Sequence, residues 1–136
     1  IDRLLNKESG LKGLCGDNDM RRVIERQREG DRAAETALAV YAYRFRLYVG
    51  SYLAALGGLD ALIFTAGVGE RAPEIRRRCC DGLQHLGLAI DPDKNQTPGD
   101  GVRDVAADDA PVRVLVVPTD EELKIARETR RILEND

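Results

Sequence analysis

Apolar positions recur at helical spacing through the first half of the chain and gather in short unbroken runs through the second. Ala34, Leu38, Tyr41, Phe45, Tyr48, Tyr52 and Ala55 are spaced alternately four and three apart, which places them on one face of a long helix. That helix should cover about residues 31–56, and Gly57-Gly58 stops it. Its apolar face is either a stripe turned to the core or a subunit interface. Ahead of it, residues 18–29 read as a short helix that Asp17 or Asn18 can cap and Gly30 ends. Ile1 to Lys7 is amphipathic, lacks an initiator Met and resembles the middle of a helix, so the chain reads as a piece of something longer. From Glu8 to Gly16 glycine recurs every third residue, which predicts a loop because glycine is unfavourable inside helices and strands. Ala61-Leu62-Ile63-Phe64 suits a buried strand, Thr65 to Glu70 a turn, and Pro73 the first turn of a helix running to about Leu86. Leu88-Ala89-Ile90 predicts a short strand ended by Asp91-Pro92, and residues 91–111 a surface loop with a brief strand near 102–105. Val112 to Val117 is the strongest strand signal, and a last helix should cover about 120–134. This order predicts an α/β fold, one layer of sheet with helices packed on it.

Composition narrows the function classes. At 136 residues the chain can bury a real core, and 43% hydrophobic with 33% charged residues describes a globular protein. A net charge of −3 argues against nucleic acid or an anionic membrane as partner. No apolar run is long enough to span a bilayer, and the expected location is the cytoplasm. Cys79 and Cys80 are adjacent and poorly placed to bridge each other, so these and Cys15 should be small buried or half-buried thiols. His85 is the only histidine, which removes two-Cys, two-His zinc sites and leaves it as a surface residue near a helix end.

Three loops carry candidate chemistry. Gly67-Val68-Gly69 follows a strand, where glycine lets backbone approach a ligand and a helix N-terminus favours anions, though the same glycines could serve sterics alone. In Thr119-Asp120-Glu121-Glu122, Thr119 and Glu122 can form a capping box, leaving Glu121 free to reach a hard cation such as magnesium. In Asp19-Met20-Arg21 the Asp suits a helix N-terminus and the Arg does not, which hints at a partner for Arg21, although a solvated Arg is the commoner explanation of such a placement. The run Arg76-Arg77-Arg78 reads as a solvated helix face. Gly67-x-Gly69-x-x-Ala72 is also a permitted dinucleotide fingerprint, with Asp91 about where a ribose-binding acid would stand. On that segment alone an NAD-binding oxidoreductase is an alternative, although Pro73 directly after the third small residue weakens it.

The whole chain has a place in another pattern. Ser9-Gly10-Leu11-x-Gly13-Leu14-x-Gly16 comes with Asp19-Met20-Arg21, and Phe64-Thr65-Ala66-Gly67-Val68-Gly69-Glu70 with Ile75-Arg76. Val117-Pro118-Thr119-Asp120-Glu121-Glu122-Leu123 then precedes Ile125-Ala126-Arg127-Glu128-Thr129. These blocks, in this order and at this spacing, resemble the acetate kinase family across nearly all of the chain.

The resemblance implies a partial C-terminal nucleotide-binding domain over residues 1–136, of the actin-like ATPase and sugar-kinase (ribonuclease H-like) superfamily, with a long helix and a central sheet covered by helices. It implies reversible phosphoryl transfer from ATP to acetate, giving acetyl phosphate and ADP with Mg²⁺, and a homodimer joined through this domain. Carried over by position, Asp19, Met20 and Arg21 would lie along the adenosine, Gly67, Val68 and Gly69 would approach adenine and the adjoining phosphates, Ile75 would line the base pocket, and Glu121 would help hold Mg²⁺. None of these residues would meet acetate, so no catalytic residue is expected here and the chain alone should not turn over. Arg71 departs from the family, which often has Asn there, and Cys15 replaces a common small polar residue. Propionate kinase shares these blocks, and a non-catalytic dimerisation module is the reading from a different class.

Overall fold

A computed structural model describes residues 1–134, apart from the side chain of Glu121. In chain order the helices are α1 (Asp2–Lys7), α2 (Gly10–Cys15), α3 (Met20–Arg28), α4 (Arg32–Leu56), α5 (Ala66–Arg71), α6 (Pro73–Cys80), α7 (Pro92–Gln96) and α8 (Glu121–Leu133). Strands β1 (Ala61–Phe64), β2 (Arg103–Asp104) and β3 (Arg113–Val116) form one sheet in the order β1-β3-β2. β1 runs parallel to β3, with Leu62 opposite Val114 and Phe64 opposite Val116, and β2 is antiparallel to β3. Side chains alternate across a strand, so those four face the helices together. The opposite face is open at Ile63, which is 57% exposed.

α4 is the axis of the helical layer. Asp31 caps it through Ala33 N (2.8 Å) and Ala34 N (3.2 Å), and Gly57 ends it at φ 74°, a backbone state that glycine adopts without strain. α2 and α3 pack on one part of α4 and α6 on another. The expected stripe divides along its length. Ala34 and Leu38 are buried, Tyr41 and Phe45 half-buried, and Tyr48 and Tyr52 exposed at 56% and 64%. Phe45 stacks on Phe64 with ring centroids 5.4 Å apart, which joins α4 to the end of β1. The core continues through Val23, Cys79, Leu88, Val105, Val114 and Val116. Among the described residues no helix is long and apolar enough to cross a membrane. All three cysteines are buried and unbridged, and burial pushes the Cys79 and Cys80 thiols up to about 12, so both are protonated and inert.

Several local expectations are corrected. The glycine-spaced stretch forms α2 rather than a loop. Gly10 (φ 63°) and Gly16 (φ 80°) stand at its ends, and Gly13 lies against the Glu8 carbonyl, which a Cβ would meet at 2.8 Å. Glycine thus sits where the short helix needs it instead of disrupting the interior. The cap of α3 is Asp19, not Asp17 or Asn18. Residues 66–71 are helical rather than a simple turn, and α6 stops at Cys80 because Asp81 is extended and Gly82 is left-handed (φ 80°). Leu88 to Ile90 contributes a single antiparallel bridge, Ile90 to Ala106. Asp91 caps α7 through Asp93 N and Lys94 N, both 2.9 Å, within the segment expected to be loop. The segment directly after α6 adds no parallel strand beside β1, and Asp91, which would have to bind a ribose at the end of that strand, is engaged in capping, so the dinucleotide-binding unit is not formed.

The largest correction is Arg76. It is 1% exposed, not solvated. Its Nε donates to Asn95 Oδ1 (2.7 Å), one terminal nitrogen to the carbonyls of Gly69 and Glu70 (2.8 and 2.9 Å), and the other to the Asn95 carbonyl (2.8 Å). Burial pulls the guanidinium down to about 10, so it stays charged at neutral pH and is held by neutral oxygens alone. Arg78 is also engaged, reaching Glu74 on its own helix and both oxygens of Glu35 on α4. Only Arg77 of the run is exposed.

Candidate functional site

Two concavities flank α5. The larger, about 620 Å³, lies between α3 and the α5–α6 corner, with Asp19, Met20, Arg21 and Ile24 on one wall and Gly67, Val68, Ala72 and Pro73 on the other. The second, about 490 Å³, lies between α5 and the segment entering α8, lined by Ala66, Glu70, Thr119, Asp120 and Glu122. Gly67 and Arg71 belong to both. They are four residues apart on a helix and therefore share one face of α5.

The α3 wall is locally braced. Asp19 accepts from Arg21 N (2.9 Å) and from the Arg21 guanidinium (3.1 and 2.7 Å), while Asp17 accepts from Asp19 N (2.9 Å) and pairs with Arg22 (2.8 Å). Side-chain and then backbone bonds from Arg21 hold the Asp19 carboxyl well below the ordinary carboxylate range. The hinted partner of Arg21 is therefore its own cap residue. Met20 is largely buried and floors the cleft as well as lining it.

The opposite wall depends on a sharp exit from β1. Ala66 takes φ 59°, the one non-glycine residue with positive φ among those described, so strain is concentrated where strand becomes helix. The two glycines differ in role. A Cβ on Gly69 would meet the Phe64 carbonyl carbon at 3.2 Å, so this glycine lets α5 lie on the strand end. A Cβ on Gly67 would meet nothing within 4 Å and would project into open space. Val68 is partly buried between them.

Thr119 is not the cap of α8. Asp120 caps it, accepting from Leu123 N at 2.9 Å. Thr119 instead ties the two strand ends together. Its Oγ1 accepts from Ala66 N (2.8 Å) and Thr65 Oγ1 (2.6 Å) and donates to Glu70 Oε1 (2.8 Å), which also accepts from Thr119 N (2.8 Å). The Thr119 backbone bond, then its hydroxyl, lower the Glu70 carboxyl below its usual value. The capping-box reading fails because a hydroxyl placed beside the strained Ala66 amide satisfies a nearer donor. This clasp had no signal in local spacing, since its members are about fifty residues apart.

Glu121 opens α8, and its side chain lies outside the described part of the structure. Around it the second groove presents Glu70, Asp120 and Glu122. Among the described residues no three acidic, His or Cys groups converge to hold an ion by themselves. One or two carboxylates beside an open groove is nevertheless the donor set that magnesium takes together with phosphate oxygens. Ile75, expected in the cleft wall, is 2% exposed and packed in the core, because it lies on the inward face of α6 while Ala72 and Pro73 form the wall.

The acetokinase family model matches residues 1–127. An acetate kinase of Dictyoglomus turgidum is 52% identical over 134 residues, covering 98% of this chain and 33% of its own length. One from Syntrophobacter fumaroxidans is 49% identical over 129 residues, covering 95% of this chain and 31% of its own. The crystal structure of Porphyromonas gingivalis acetate kinase superposes with a TM-score of 0.84 at 38% identity, covering 97% of this chain and 33% of that one. A propionate kinase from Francisella tularensis gives 0.83 at 38% identity, over 93% and 32%. The chain thus spans about a third of the length of the relatives it matches. Its α/β architecture is the actin-like fold of these kinases. With nearly all of its length matched, the chain belongs to the acetokinase family.

Proposed function

We propose that this chain supplies the nucleotide and magnesium side of an enzyme that reversibly transfers the γ-phosphoryl group of ATP to acetate, as a C-terminal nucleotide-binding domain. The observation that supports this is that the two grooves share Gly67 and Arg71 on α5: an apolar-floored cleft lies on one side, carboxylates on the other, and open backbone at Gly67 between them. Adenosine fits the cleft beside Asp19, Met20 and Arg21, with Val68 and Gly69 holding the opposite wall. Phosphates then lie along α5 toward Asp120 and Glu122, with Glu121 and its neighbours as carboxylates for Mg²⁺. The ion would neutralise phosphate charge when bound. Phosphoryl transfer has little covalent chemistry for a protein to do, so this chain's share is to orient the nucleotide and keep its phosphates aligned.

The acceptor side is assigned to sequence beyond this third of the relatives, so the chain alone should not turn over. Acetate and propionate stand level as acceptors, since relatives named for each superpose equally well. A homodimer in the cytoplasm is the proposed state, with the exposed Tyr48 and Tyr52 face of α4 as its interface. A dimer should appear in sedimentation, and a clean monomer at tens of micromolar would count against that interface.

Titration calorimetry with Mg-ATP, with NAD as control, tests the main reading. ATP should bind, and Glu121→Ala should weaken it only when Mg²⁺ is present. NAD binding without ATP binding would overturn the nucleotide assignment.

A further inference from the structure

We infer that Arg71 is the phosphate clamp of this chain, selecting nucleotides by their polyphosphate rather than by their base; this deepens the reading above and rests on it. A ligand with one end in the α3–α5 cleft and the other beside Asp120 and Glu122 has to cross α5. Gly67 and Arg71 are the two residues of α5 that border both concavities. Gly67 offers no side chain to obstruct the crossing, and Arg71 stands one turn away on the same face.

The charges make that position decisive. Among the described residues lining the second groove, Glu70, Asp120 and Glu122 are acidic and Arg71 is the only basic one. Three carboxylates repel a polyphosphate, so a chain that admits one has to supply positive charge at the crossing as well as an ion beyond it. On the cleft side Arg21 is occupied by Asp19, and Arg28, which also lines the cleft, borders that concavity alone and does not reach the crossing. The Arg71 side chain is exposed, with no hydrogen bond or ion pair among those found in the described residues. A guanidinium so placed can donate two parallel N–H bonds to neighbouring phosphate oxygens, a geometry that a shorter amide side chain cannot supply with charge.

The test is Arg71→Gln, read by calorimetry with ATP and with adenosine, each with magnesium and with EDTA. Melting temperature should not move, because the side chain supports nothing in the fold. ATP affinity should fall roughly tenfold or more, the loss of a charge-assisted bidentate contact, while adenosine affinity stays within about twofold. The loss should persist in EDTA, which separates Arg71 from the ion, and Arg71→Lys should recover part of it. Unchanged ATP affinity in Arg71→Gln would overturn the inference while leaving the nucleotide site intact, and so would an equal loss for adenosine. A wild-type chain that binds neither ligand would remove the site and the clamp together.

Discussion

Replacing Arg76 by methionine should cost about 3–5 kcal/mol of folding free energy, lowering the melting temperature by roughly 10–20 °C. Methionine fills much of the volume but makes none of the bonds. Four acceptors lose their donor at once: Asn95 Oδ1 and the carbonyls of Gly69, Glu70 and Asn95. A buried acceptor left unpaired costs about 1–3 kcal/mol, and partial entry of water brings the sum below four full penalties. Lysine should fail nearly as badly, since one ammonium cannot serve acceptors spread over two segments. The carbonyls of Gly69 and Glu70 close the end of α5, so ATP affinity should fall along with stability. Thermal unfolding followed by circular dichroism checks this. A shift of under about 3 °C would mean that the guanidinium is solvated, as the charge run alone suggests.

That discrepancy shows where sequence reading reaches and where it stops. α4, β1, β3 and α8 were legible because each is long enough for periodicity, or apolar enough for strand propensity, to dominate. Local spacing groups Arg76 with two like charges, although it falls between Ile75 and Cys79 on the inward face of α6. The carbonyls that make its burial tolerable come from α5 and α7, outside any local window. The same limit governs Thr119. Spacing made it a helix cap, whereas the strained Ala66 amide, distant in sequence, draws its hydroxyl away. In the candidate site, Asp19, Met20, Arg21, Gly67 and Val68 do line one cleft, while Ile75 lies in the core behind it. An apolar residue next to a glycine motif can serve a pocket or the core, and helix phase decides between them.

Gly67→Val should leave the fold nearly unchanged and abolish most ATP binding. The two glycines of the motif make the contrast sharp. A side chain at Gly67 meets no protein atom within 4 Å of its Cβ, and valine is no worse than glycine in a helix. Stability should therefore move by less than about 1 kcal/mol. If a nucleotide crosses α5 at this point, the added methyl groups occupy its path, and affinity should drop at least tenfold through lost contact and displaced phosphates. Gly69→Ala should behave the other way. Its Cβ presses on the Phe64 carbonyl carbon at 3.2 Å, so it should destabilise the protein by about 1–3 kcal/mol, with any loss of affinity following from the displaced helix. Measured together, the pair separates a glycine that packing requires from one that a ligand requires. Should Gly67→Val bind ATP as the wild type does, nothing crosses α5 there, and the two concavities are separate features of the surface rather than one site.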